Sequence, residues 1–320
     1  MGDSWLACGD GIRLRVADGG DPGAGVTVVL VHCYALDRHD WDPVLPGLAA
    51  ACGGPVRVLS YDQRGYGESD RVAAADATLV RLADDLAELI CDRVPSGPVV
   101  LAGHSLGGMV LMALAERYPE LVRARVAGAV FVATACSELR AVSLGLPAPL
   151  AGAVHGLERL GVGLLCALGR EVLTRHPRAI EPFVRWLVFG IEARARDVAA
   201  VARMAAACRP DTLQHFRRAF GEHDRREALL AFDGSPAAVL VGDRDRLTPP
   251  RHAATISEWL PSARLVILPG AGHMLPHERT AEVVRAIGQV VREAMLSWPA
   301  APAATGPVAT RGAAALEAAG

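Results

Sequence analysis

The chain has 320 residues, 51% hydrophobic and 21% charged, with a formal net charge of −2. This is ample for one α/β domain with a sizeable core and an inserted subdomain, and the weak net charge excludes a nucleic-acid binder or a disordered chain. All 33 basic residues are Arg, so Schiff-base lysine chemistry and a P-loop lysine are excluded as well.

In chain order, residues 5–8 and 12–16 alternate around Gly9-Asp10-Gly11 and predict a hairpin, followed by a polar loop over 18–25. Residues 26–31 (VTVVLV) predict a buried strand ending at His32-Cys33-Tyr34, then a helix over 41–51. A strand over 56–61 leads into Asp62-Gln63-Arg64-Gly65-Tyr66-Gly67, where Arg64 is read as bracing a loop. Apolar spacing at Leu79, Leu82, Ala83, Leu86, Leu89 and Ile90 predicts a helix. Residues 99–102 form the next strand and 105–115 a helix closed by Tyr118-Pro119. Strands follow over 126–133, 237–241 and 265–268, with a closing helix over 278–296. Strands alternating with helices imply a mostly parallel, doubly wound sheet covered on both faces.

Gly103-His104-Ser105-Leu106-Gly107 sits between a strand and a helix, the context in which Gly-x-Ser-x-Gly forms a strained turn that exposes a serine hydroxyl. Glycines at 103 and 107 leave room for neighbouring backbone, and the Leu106 N–H at the helix N-terminus faces any oxyanion. A serine needs a base; an imidazole serves near neutral pH, and a carboxylate behind it fixes its tautomer. His273 follows the last strand and Asp245 the one before it. Serine, acid, histidine is the chain order of α/β-hydrolases.

Five segments, VVLVHCYALD (28–37), YDQRGYGESD, GHSLGG, VLVGDRDRLTP and GAGHMLPHE, together resemble the lidded serine branch of the α/β-hydrolase fold superfamily, the esterase and haloperoxidase-like group. The resemblance runs from about residue 27 to 296. It implies Ser105 as nucleophile, Asp245 as acid, His273 as base, and the N–H groups of Leu106 and Tyr34 as the oxyanion hole, with no cofactor and no metal. Asp243 is the second choice for the acid and Glu138 a more distant one. The family usually has glycine where Cys33 stands, so a differently shaped loop is expected there. Cys33 reads either as a small packing residue or as a thiol lining the pocket. His32 and His104 are read as structural hydrogen-bonding groups.

The expected organisation is an α/β core over 1–136 and 233–298, a helical cap over 137–232, and a disordered tail over 299–320. Five of the six phenylalanines fall in the cap, which predicts a hydrophobic substrate. The cap also carries 14 Arg against 10 acidic residues, which would suit an anionic substrate or an acidic carrier protein. The reaction expected is hydrolysis of a carboxylic ester or thioester through an acyl-enzyme. Alternatives are C–C bond hydrolysis, perhydrolysis, acyl transfer or cyclisation at the same site, or a non-catalytic ligand-binding protein. No apolar leader opens the chain, and the uncharged run 141–157, which holds Pro147 and Pro149, falls short of the ~20 residues of a spanning helix. Seven scattered cysteines without a Cys-x-x-Cys suit reduced thiols, so a cytoplasmic setting is expected, with no nucleic acid or membrane span; the oligomeric state is left open.

Overall fold

The computed structural model describes residues 1–138, 174–220 and 223–298; the expected tail and residues 139–173 of the expected cap lie outside the described residues. Among the described residues eight strands form one sheet: β1 (Gly2–Ala7), β2 (Arg13–Gly20), β3 (Thr27–Val31), β4 (Arg57–Tyr61), β5 (Val99–His104), β6 (Val126–Val132), β7 (Ala237–Gly242) and β8 (Arg264–Leu268). Their order is β1-β2-β4-β3-β5-β6-β7-β8. The hairpin β1–β2 pairs antiparallel and β2 joins β4 antiparallel; from β4 onward every pairing is parallel. The mostly parallel sheet read from the sequence is therefore the one observed.

The helices are α1 (Leu45–Cys52), α2 (Leu79–Arg93), α3 (Leu106–Arg117), α4 (Pro119–Arg125), α5 (Glu181–Val188), α6 (Ala195–Ala207), α7 (Pro210–Phe220), α8 (Pro250–Trp259), α9 (Leu275–Glu278) and α10 (Thr280–Ser297). Alternation along β5 shows how the sheet is buried from both sides. Val99 and Leu101 face a core shared with α2 and α3, while Val100 and Ala102 face one shared with α1 and α10. Helix α2 buries Leu79, Leu82, Leu86, Leu89 and Ile90, each contributing about 1.5–3 kcal/mol by leaving water. The Thr78 side chain caps it by accepting from Arg81 N at 3.1 Å.

Two of the boundaries that differ from the sequence reading have a clear local cause. The helix expected over 41–51 is split into a 3-10 turn at Arg38–Trp41, capped by Asp37, and α1, whose early Pro46 suits a new first turn. Strand β2 runs on to Gly20 where a loop was expected, because Asp18, Gly19 and Gly20 pair with Leu59, Val58 and Arg57.

Topology positions the site. The chain lays β3 in the centre, adds β4 on one side, then returns to β5 on the other, creating a switch point between β3 and β5. Register sets Val31 opposite Gly103, so the turns after these two strands emerge side by side. A smaller apolar cluster then covers that edge: Cys33, Leu36 and Met274 pack with Val184 and Phe189 at the end of α5 and with Val198, Val201 and Ala202 of α6. No helix among the described residues is long and apolar enough to cross a membrane.

Candidate active site

Ser105 stands between β5 and α3 with φ 53° and ψ −110°, a left-handed conformation that costs a non-glycine residue of the order of 1–3 kcal/mol. Its surroundings hold it there. The Ser105 N–H donates to Val132 O at 2.8 Å, and Thr134 Oγ1 donates to the Ser105 carbonyl at 2.7 Å. A Cβ at Gly103 would lie 2.5 Å from the backbone of Gly107 and Gly108, and one at Gly107 would lie 2.1 Å from Val31 O. Both glycines are thus required by close backbone approach, and the turn cannot relax. Leu106 opens α3 immediately after the serine.

Beyond β7, Asp245 accepts from Leu247 N (2.8 Å), Thr248 N (2.9 Å) and Thr248 Oγ1 (2.8 Å). Its Oδ2 lies 2.8 Å from Nδ1 of His273. Burial alone would raise this carboxyl, but the imidazole and the Thr248 donors outweigh it and hold it below its ordinary value. A carboxylate can only accept, so Nδ1 of His273 carries the proton and Nε2 faces the opposite way. There Nε2 meets Cys33 Sγ at 3.9 Å. Thiol and imidazole therefore meet at the carboxyl edge of the sheet, beside the turn that carries Ser105. Asp243 instead uses Oδ1 to accept from Gly270 N at 2.7 Å, tying the turn after β7 to the base loop.

The base loop is also held from the segment between β6 and β7. The N–H of His273 donates to Val188 O at 2.8 Å and that of Met274 to the same oxygen at 3.2 Å. Glu278 accepts from Gly190 N (2.7 Å) and Gly272 N (3.0 Å), and a Cβ at Gly190 would meet Gly270 O at 2.1 Å. Tyr34 donates its hydroxyl to Leu213 O of α7 at 2.6 Å and meets Phe220 edge-on at 4.9 Å between ring centroids.

Beneath these groups lies a buried charge pair that sequence reasoning missed. Asp40 Oδ2 accepts from the Cys33 N–H at 3.1 Å and lies 2.7 Å from Nδ1 of His104. The other nitrogen of His104, Nε2, lies 3.0 Å from the His273 carbonyl. Both partners of the ring are acceptors, so both nitrogens must donate and His104 is an imidazolium. Burial opposes that charge, but the Asp40 carboxylate overcomes it and holds the imidazole above its ordinary value. Burial likewise opposes charge on Asp40; His104 and His277, the latter 3.4 Å away, overcome it and hold the carboxyl far below its ordinary range. His32 behaves oppositely. Its Nε2 accepts from Gln63 N at 3.0 Å and Nδ1 donates to Cys33 O at 2.7 Å, so it is neutral, and burial keeps its pKa low.

The loop after β3 differs from the sequence expectation in one respect. The left-handed residue is Ala35 (φ 65°), not Cys33, so a side chain at 33 is accommodated without backbone strain. Arg64 makes a buried fork to Asp85 of α2 at 2.7 and 2.6 Å, the bracing contact its motif suggests. Two surface depressions, about 580 and 540 Å³, are lined by residues such as Glu116 and Trp259 or Pro43 and Arg292, away from Ser105.

A model of the alpha/beta hydrolase family matches residues 28–286. A pimeloyl-[acyl-carrier protein] methyl ester esterase of Nitrosomonas europaea is 30% identical over 255 residues, covering 78% of this chain and 90% of that one. A namesake from Neisseria meningitidis serogroup A is 27% identical over 285 residues, covering 87% and 80%. A thermophilic esterase from Thermogutta terrifontis superposes with a TM-score of 0.67 at 25% identity, over 92% of this chain and 99% of that one.

Proposed function

The chain belongs to the alpha/beta hydrolase family, and on that footing we propose that it is a carboxylic ester hydrolase working through an acyl-enzyme on Ser105. Nε2 of His273 takes the serine proton as Oγ bonds to the substrate carbonyl carbon. The resulting oxyanion is held by the N–H groups of Leu106 and Tyr34, and the imidazolium by Asp245. His273 then protonates the departing alcohol or thiol. Water, deprotonated by the same nitrogen, releases the acid and restores Ser105.

The observation that carries this reading is the 2.8 Å bond between Asp245 and Nδ1 of His273, which leaves the Nε2 lone pair to accept a proton beside the serine turn. Esterase names among the similar chains support ester hydrolysis over C–C cleavage, perhydrolysis, transfer or simple binding. Residues 137–232 serve as a cap whose apolar side chains, Phe189, Phe216 and Phe220 among them, favour a hydrophobic acyl group. The two relatives named for an ester on an acyl-carrier protein support a carrier-borne or otherwise anionic acyl ester as one form of that substrate. A cytoplasmic setting is supported by the free thiols of six cysteines among the described residues.

The test is labelling by a fluorophosphonate together with turnover of a p-nitrophenyl ester series. Ser105→Ala is expected to lose both, turnover by about 10⁴-fold or more. Full activity in that variant would overturn the reading.

A further inference from the structure

Cys33 sits at the reacting point, and the ester mechanism leaves it unused. Its backbone is pinned on both sides, by Asp40 at its N–H (3.1 Å) and by His32 at its carbonyl (2.7 Å), so the direction of the thiol is set. The sulfur then sits 3.9 Å from Nε2 of His273.

That separation suits a shared cation. Zinc bonds thiolate sulfur at about 2.3 Å and imidazole nitrogen at about 2.0–2.1 Å, so an ion within reach of both atoms would subtend an angle of roughly 125°, close to tetrahedral. The imidazole is already prepared as a ligand. Asp245 holds Nδ1–H at 2.8 Å, the carboxylate–histidine arrangement that orients metal-binding imidazoles and presents the Nε2 lone pair. His104 lies near the same point, its donor atom within 4.8 Å of the other two. Its two nitrogens are committed to Asp40 and the His273 carbonyl, so it stays outside the coordination set. Charge also balances: a divalent ion would face the Cys33 thiolate and the Asp245 carboxylate, while the His104–Asp40 pair is neutral in sum.

We propose that Cys33 Sγ and Nε2 of His273 form an inhibitory site for a thiophilic divalent cation of the zinc and cadmium class, with water completing the shell. On binding, the Cys33 S–H proton leaves to solvent, one metal–sulfur and one metal–nitrogen bond form, and no atom changes oxidation state. The lone pair needed to take the Ser105 proton is then occupied, so hydrolysis stops until a chelator removes the ion. The site goes beyond ester hydrolysis, and its occupancy is measurable without turnover.

The experiment titrates the full chain with Cd²⁺ and follows the ultraviolet cadmium–thiolate charge-transfer band. A Cys91→Ser, Cys166→Ser background removes the exposed thiol among the described residues and the one outside them. One equivalent of band is expected, lost in Cys33→Ser, in Cys33→Gly and, through loss of the second ligand, weakened at least tenfold in affinity in His273→Gln. Zinc-buffered assays are expected to show chelator-reversible inhibition, and Cys33→Ser to need at least tenfold more free zinc relative to its own metal-free rate. Equal band intensity or equal zinc sensitivity in a folded Cys33 variant, judged by its melting curve, overturns the site. Cys33→Gly keeps the test open should serine disturb folding. An intact band in a protein without esterase turnover would retain the site and sink the hydrolase reading.

Discussion

Asp40→Ala would remove the acceptor shared by Cys33 N–H and the His104 imidazolium, leaving a buried cation and a buried amide unpaired. Breaking one side of a buried ion pair costs about 3–5 kcal/mol. Asp40→Asn keeps an oxygen for those donors but loses charge assistance, a difference of about 1–2 kcal/mol between charged and neutral hydrogen bonds. At about 2 °C per kcal/mol for a chain of this size, Asn should lower Tm by about 2–4 °C and Ala by about 6–10 °C. The pH dependence has a definite sign. Asp40 is held far below its ordinary value by His104 and His277 against the pull of burial, so its stabilisation is present above its unfolded pKa and is lost only in strong acid. His104, raised by Asp40 against burial, contributes in full below its unfolded value of about 6.5 and loses that contribution as pH climbs through its raised folded pKa. The penalty of Asp40→Asn measured by thermal circular dichroism should therefore be largest at about pH 6 and shrink toward about pH 9. An Asp40→Ala protein melting within about 1 °C of the parent, or a penalty that grows with pH, would refute the imidazolium assignment.

Asp245→Asn places an amide where His273 needs an acceptor and favours the wrong tautomer; kcat should fall by about 10³–10⁴ with little change in Tm, checked by steady-state ester kinetics alongside melting. In Gly190→Ala the new Cβ would lie 2.1 Å from the backbone oxygen of Gly270, so either the segment carrying Val188 or the loop carrying His273 must shift. A loss of about 1–3 kcal/mol in stability is expected, with a fall in kcat that a purely peripheral strain would not produce, read from the same two assays.

The candidate site was legible in the sequence to the extent that its chemistry is written in short local patterns. Ser105 lies in a turn whose two glycines are dictated by contacts with neighbouring backbone, and such a requirement leaves a mark within five residues. Asp245 and His273 each follow a strand directly, so an alternating pattern of strands and helices is enough to bring their loops to one edge. Asp40 carries no comparable mark. It sits in a 3-10 turn beside the buried Trp41, and its partners are 64 residues away at His104 and on the His277 side of the base loop. A carboxylate in a charged run such as Arg38-His39-Asp40 reads as solvated until the fold shows it fully enclosed. The reading of His104 as a structural hydrogen bonder holds for the same geometric reason, yet its charge follows only from seeing that both nitrogens face acceptors. Cys33 is intermediate: its departure from the usual glycine is visible in the chain, but whether that forces a new loop depends on φ, and the left-handed position lies two residues on at Ala35. What sequence pattern conveys is thus the groups proposed to touch the reacting atoms. What it conceals is the buried electrostatics that holds those groups still, because that support is assembled from loops with no common period and no fixed spacing.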